Sequence, residues 1–233
     1  MKFIKKVFSL ILVAVIIAGA FVTYKGYEMY KEATSKIELQ EKVEKIRSDK
    51  DFVKFEELPS EYVTAVIDVE DHRFYEHNGI DIISILRALV NDIKAREIVE
   101  GGSTITQQLS KNMYFSQKQE LVRKIAELFV TFDLEKKYSK EDIFELYVNT
   151  SYFGNGYYGI GQAAHGYLNK KPKDMTLLES TLLAGIPNAP SVYAPTKNPD
   201  LAVQRQKQVI QKMVKRGGLT QKEANELYEE LNK

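Results

Sequence analysis

Apolar positions fall into two regimes along this chain. From Val7 to Tyr24 they run almost without interruption and with no charge among them, behind a cluster of Lys2, Lys5 and Lys6. Such a run approaches the roughly 20 residues that a membrane-spanning helix needs. The preceding lysines place the N-terminus in the cytoplasm and the bulk of the chain outside, by the positive-inside rule. A cleaved signal peptide is the alternative, with Ala18-Gly19-Ala20 as its small-residue site, but its apolar region would be shorter.

The second regime is periodic. Residues 25–54 are charged, with helical spacing across Tyr30–Lys50, and read as a stalk or linker. A folded domain is expected over 55–233. Ile80, Ile83, Leu86, Leu89, Val90 and Ile93 recur at helical spacing. Ser139 with Asp142, Thr176 with Glu179 and Thr220 with Glu223 are spaced as helix starts. Asn198-Pro199 reads as an N-cap followed by proline at the first helical position, and Gly217-Gly218 as that helix's stop. Gly101-Gly102 and Gly154 to Gly161 interrupt the pattern. No convincing set of alternating strands appears, so the class is mainly α.

Composition narrows the chemistry. A chain of 233 residues accommodates one sizeable domain and an anchor. Its 33 basic and 32 acidic side chains cancel, which provides no global field for nucleic acid. The absence of cysteine excludes disulfides, zinc–thiolate sites and thiol nucleophiles.

Three clusters carry candidate chemistry. Glu70-Asp71-His72-Arg73-Phe74-Tyr75-Glu76-His77-Asn78-Gly79 leaves an apolar stretch, where burial and a neighbouring arginine can drive two carboxyl pKa values apart. A surface acid pair is the plainer account of Glu70 and Asp71 alone. Gly101-Gly102-Ser103-Thr104-Ile105-Thr106-Gln107-Gln108, followed by Lys111 and Asn112, combines backbone permissiveness with neutral hydrogen-bonding groups. A helix starting there would aim its N–H groups at an anion, although the Gly-Lys-Ser/Thr of a Walker loop is missing. A capped loop accounts for the glycines but not for the paired glutamines. Arg123, Lys124 and Glu127 share a helix face, as an intrahelical ion pair or as a phosphate site.

Together these clusters resemble the peptidoglycan glycosyltransferase family, found as monofunctional enzymes and as the first domain of bifunctional penicillin-binding proteins. Its first motif, Glu-Asp-x-x-Phe-x-x-His-x-Gly, matches at Glu70, Asp71, Phe74, His77 and Gly79. The second matches throughout Gly101 to Gln108, and the third, Arg-Lys-x-x-Glu, at Arg123, Lys124 and Glu127. The fourth is carried by Lys140, Ile143, Glu145, Tyr147 and Asn149. The fifth is looser: Arg205, Val209, Ile210 and Met213. Gln119-Glu120-Leu121 stands where the family often has Arg-Ser-Leu. No transpeptidase domain follows, so the chain resembles the monofunctional members.

The resemblance implies a lysozyme-like, two-lobed helical domain behind the transmembrane helix (residues 7–24, after a cytoplasmic tail of residues 1–6). It implies polymerisation of lipid II at the extracytoplasmic face of the bacterial membrane, with lipid II and the lipid-linked strand as substrates and other cell-wall synthesis proteins as partners. Glu70 is the implied base. Lys111, Arg123 and Lys124 are candidates for the pyrophosphate, with Arg73 and Arg87 as weaker ones. Glu127 would orient those cations, hold a divalent ion (Mg2+ or Mn2+) or aid the leaving group. Asp71, Ser103, Thr104, Gln107, Gln108 and Asn112 complete the expected substrate contacts. Glu145, Tyr147 and Asn149 would brace the cleft, His77 would hold its loop, and Met113-Tyr114-Phe115 would dip into the membrane interface. Two rival classes are a lysozyme-like hydrolase, for which Glu179-Ser180 is the superficial signal, and an inactive scaffold.

Overall fold

A computed structural model describes residues 2–95, 102–116 and 121–232. Gly101 of the second motif and Gln119-Glu120 lie outside the described residues. The described residues form α1 (Lys2–Lys36), α2 (Leu39–Arg47), α3 (Ser60–Glu70), α4 (Ile82–Ala95), α5 (Ile105–Tyr114), α6 (Leu121–Lys137), α7 (Lys140–Thr150), α8 (Gly159–Leu168), α9 (Leu177–Gly185), α10 (Pro190–Tyr193), α11 (Pro199–Arg216) and α12 (Gln221–Leu231). Among them the only β pairing is an isolated bridge between Tyr152 and Tyr158. The mainly α class holds.

Local sequence explains the helix ends. The hydroxyls of Ser139, Thr176 and Thr220 accept from the backbone N–H three residues on, completing the expected capping boxes. Asn198 precedes Pro199, but its side chain does not cap; its amide donates to the Val192 carbonyl at 3.0 Å. Gly217 ends α11 at φ +86°, the left-handed conformation that closes a helix.

Two groups of helices share one core. In one, α3 packs against α9 and α11; in the other, α5 packs against α6 and α7. Tyr62, Phe74, Leu109, Leu134, Phe144 and Leu183 are buried to within 1% of full occlusion and join the groups.

The expected linker is no linker. Helix α1 continues unbroken past residue 25, and its last third lies along α6. Leu39 and Val43 of α2 are core residues. Arg47 pairs with Asp142 and Glu145. Val53 exchanges two hydrogen bonds with the Asn149 amide (2.9 and 2.7 Å), and the Phe55 N–H donates to Glu145 Oε2 at 2.9 Å. Of the charge that read as a solvated stalk, Arg47 is spent on these contacts, and the apolar and backbone groups beside it are held by the domain, which therefore begins well before Phe55.

The expected helix at 80–93 forms as α4, but its apolar stripe does not face the core. Ile82, Ile83, Leu86 and Val90 are 49–66% exposed, and Ala88 is the buried side. The apolar part of α1 is likewise exposed, and among the described residues α1 is the one helix long and apolar enough to cross a membrane.

Candidate active site

Glu70 is the last residue of α3, at the seam between the two helix groups. Gln108 Nε2, from the second turn of α5, donates to Glu70 Oε2 at 2.8 Å. The Gln108 oxygen accepts from the Tyr147 hydroxyl at 3.4 Å. The other carboxylate oxygen, Oε1, is buried without a hydrogen bond, and Arg205 Nη2 of α11 stands 3.9 Å from it. Glu70 also lines a cavity of about 100 Å³ with Asp68, Ser84, Arg87, Ser103 and Lys212.

The rest of the first motif builds the support for that carboxylate. Asp71 is buried, accepting from His77 Nε2 (2.9 and 3.0 Å) and from the Ile105 N–H at the start of α5 (3.0 Å). His77 Nδ1 accepts from the Gly79 N–H at 3.1 Å, so the ring proton sits on Nε2 and points at Asp71. Gly79 has φ +86°, and a Cβ there would lie 2.6 Å from the Thr131 methyl, so only glycine fits. Its carbonyl accepts from Thr104 Oγ1 at 2.7 Å. Lys140 closes the loop by donating to the His77 carbonyl at 2.7 Å. Asp71 was expected at the substrate; its oxygens are spent inside the protein.

Thr104 and Gln107 are corrected in the same way. They form a reciprocal capping box, with Gln107 N donating to Thr104 Oγ1 (3.2 Å) and Thr104 N to Gln107 Oε1 (3.0 Å). Both are buried. The paired glutamines thus divide the work: Gln107 starts the helix and Gln108 reaches Glu70. Arg73 is turned to Asp81 (3.3 Å) and Glu76 (3.5 Å). Arg87 donates to Ser84 Oγ at 3.1 Å beside the cavity. Asn112 is half-buried on α5.

The third cluster sits on the first turns of α6. Glu127 is completely buried, bonded to Arg123 through Oε1 and 3.1 Å from Lys124 Nζ through Oε2. Lys124 Nζ also donates to Ser103 Oγ at 2.8 Å, which ties the glycine-rich segment to α6. Burial, then Arg123 and Lys111, push the Lys124 pKa down to about 8. Burial also lowers Lys111, helped by Arg123 and opposed by Glu70. Lys111 therefore lies within the field of both clusters. Arg123, Lys124 and the neighbouring Lys111 repel one another, and an arriving anion relieves that repulsion.

These residues do not fit a protein-held metal at Glu127. Both its oxygens face cations, and among the described residues no three His, Asp or Glu side chains gather to hold an ion. Met113 is core, while the Tyr114 hydroxyl donates to the Ile37 carbonyl at 3.2 Å, so this segment does not form the expected interfacial wedge. Glu145 and Asn149 hold the 47–55 segment, and Glu179 pairs with Lys170 at 2.7 Å while capping α9. Sequence reasoning gave Arg205 only as part of the loose fifth motif, and it missed Lys212, whose Nζ donates to the Val69 carbonyl at 3.0 Å. Both lie on α11, over 130 residues beyond Glu70, where only the fold brings them back.

Residues 38–214 match the family described as Transglycosylase. The chain is 46% identical over 172 residues to penicillin-binding protein 1F of Bacillus subtilis, covering 74% of this chain and 24% of that protein. It is 42% identical over 171 residues to penicillin-binding protein 4 of the same organism (73% and 27%). With penicillin-binding protein 1A of Vibrio cholerae the identity is 37% over 239 residues (96% and 29%). The chain spans about a quarter of the length of these curated relatives. With its motifs, helical architecture and matched span in agreement, the chain belongs to the transglycosylase family.

Proposed function

We propose that this protein polymerises lipid II into peptidoglycan glycan strands. The 4-hydroxyl of the acceptor GlcNAc attacks the anomeric carbon of the donor MurNAc, and the α-linked lipid pyrophosphate departs. A new C–O bond forms on the opposite face, giving a β-1,4 link, while the hydroxyl proton passes to Glu70 and then to solvent. The observation that carries this reading is the Glu70 carboxylate, with one oxygen fixed by Gln108 and the other buried without a donor. Such an oxygen gains a hydrogen bond when it receives a hydroxyl.

In this reading Lys111, Arg123 and Lys124 meet the charge that develops on the departing pyrophosphate, and Glu127 holds Arg123 and Lys124 in place. Ser103, bonded to Lys124, lines the route between the two clusters. Arg87 lines the same cavity as Ser103 and Glu70. The apolar part of α1 anchors the protein in the cytoplasmic membrane with its N-terminus inside, where other cell-wall synthesis proteins gather. Tethering raises the effective concentration of a substrate that never leaves the bilayer.

The test is lipid II polymerisation by the wild type, Glu70→Gln and Glu127→Gln, with and without Mg2+ or Mn2+. Glu70→Gln is expected to lose turnover by at least about 100-fold, the lower end for a general base, while still binding lipid II. Near-normal polymerisation by that variant removes the base assignment. Shortening of preformed strands without polymer formation would point to a hydrolase instead.

A further inference from the structure

Helices α1 and α6 run parallel and in fixed register. Gly26 faces Ile125, and a Cβ added at Gly26 would fall 2.5 Å from the Ile125 side chain and 3.2 Å from the Val122 carbonyl. One turn on, Tyr27 and Tyr30 pack against Phe129, with ring centroids 5.4 and 5.5 Å apart. The Tyr30 hydroxyl donates to Asp133 at 2.6 Å. Burial, followed by that carboxylate, pushes the Tyr30 pKa up to about 12, so the bond persists across the physiological range. Three contacts of different kinds thus fix which turn of α1 lies beside which turn of α6.

That register has a functional reading. Gly26 faces Ile125 and Phe129 lies between Tyr27 and Tyr30, so the Arg123–Lys124–Glu127 cluster stands level with about residues 24–28 of α1. The apolar run ends at Tyr24, and Lys25 follows it. At about 1.5 Å of rise per residue, the cluster lies within about 6 Å beyond the end of the apolar run. The headgroup layer of one leaflet is about 5–7 Å thick. The two spans coincide.

We propose that the α1–α6 contact is a depth gauge: it holds the cation cluster in the headgroup layer, where the pyrophosphate of a membrane-bound polyprenyl substrate resides. Gly26, Tyr30 and Asp133 are then positioning residues for the reaction. The proposal rests on the polymerase reading above. It adds that α1 is a rigid strut as well as a tether.

The experiment inserts four or seven helix-forming residues between Tyr24 and Lys25 of the full chain, leaving the α1–α6 contact untouched. These insertions raise the domain by about 6 and 10 Å. A control carries the seven residues ahead of Lys2. Polymerisation is measured with long-chain lipid II in bilayers and with a short-chain, soluble analogue in detergent. The expected result is a graded loss in bilayers, about tenfold or more for seven residues, with detergent rates within about twofold of wild type and the control unaffected. A seven-residue variant that keeps its bilayer rate overturns the proposal, since a flexible tether would tolerate the lift. Equal loss in detergent also overturns it, because elevation alone cannot affect a soluble substrate. Absence of polymer from the wild type in both settings would instead remove the polymerase reading itself.

Discussion

Gln108 donates to one oxygen of Glu70 at 2.8 Å while its own oxygen accepts from Tyr147 at 3.4 Å, so its orientation is set at both ends. This contact aims the carboxylate. Gln108→Ala should lower kcat about 10–100-fold with little change in KM. That corresponds to the roughly 1.5–3 kcal/mol of a hydrogen bond to a charged group, at about 1.4 kcal/mol per tenfold in rate. Steady-state kinetics beside an unchanged circular dichroism spectrum checks it.

Glu70 Oε1, which has no hydrogen bond although Arg205 stands 3.9 Å away, makes an opposite prediction for stability. A buried charge with an unmade hydrogen bond costs about 1–3 kcal/mol, so Glu70→Gln should raise Tm while removing turnover. Glu127→Gln should do the reverse. It leaves Arg123 and Lys124 without their counter-charge, and breaking a buried pair costs about 3–5 kcal/mol. A loss of about 6 °C or more is expected for Glu127→Gln. Calorimetry of both variants separates the proposed base from the glutamate that holds Arg123 and Lys124.

Asp71→Asn tests the brace. The substitution weakens the bonds from His77 and from the Ile105 N–H at about 2 kcal/mol, which lowers Tm by about 4–8 °C in a domain of this size. Thermal melts check the size of the effect. Turnover per folded molecule should fall far less than in Glu70→Gln.

In the proposed reaction Lys124 sets the alkaline limb of the pH profile. With its pKa pushed down to about 8 by burial, Arg123 and Lys111, it loses its charge as pH rises through 8, and pyrophosphate stabilisation goes with it. The kcat/KM profile should decline above pH 8, and Lys124→Arg should move that limb upward. The stability effect has the other sign. Between pH 8 and the ordinary lysine value near 10.4, the unfolded chain holds more protons, so this group adds stability as pH rises through that window.

Asp68 gives a second pH handle. Burial raises its carboxyl to about 6 against the pull of Arg216, and Oδ2 has no hydrogen-bond partner. Its folded pKa exceeds the unfolded value near 3.9, so folding holds the extra proton and stability is lost as pH climbs from 4 to 6. Asp68→Asn should raise Tm by about 2–4 °C at pH 7, for about 1 kcal/mol after allowing for partial exposure. Melts repeated at pH 4 should show the gain vanishing.

Helix class, the capping boxes and the grouping of Arg123, Lys124 and Glu127 on one helix face were legible because each depends on residues within one or two turns. What was not legible depends on what covers a surface. The α4 stripe has helical spacing, yet periodicity records which residues share a face and not whether protein lies against it. Asp71, Thr104 and Gln107 carry the chemistry of ligand contacts, but in the fold they satisfy backbone groups that would otherwise be buried unpaired. Arg205 and Lys212 reach the site only because α11 packs on α3.

The clamps on residues 47–55 bear on how this protein is handled. A soluble form cut at Phe55, where the charged stretch invites the cut, would strip Glu145 and Asn149 of their partners and open the core at Leu39 and Val43. Aggregation or weak folding of such a fragment would say nothing about its catalytic chemistry. A cut between Tyr24 and Gly26 removes the apolar run and keeps both the α6 contact and these clamps.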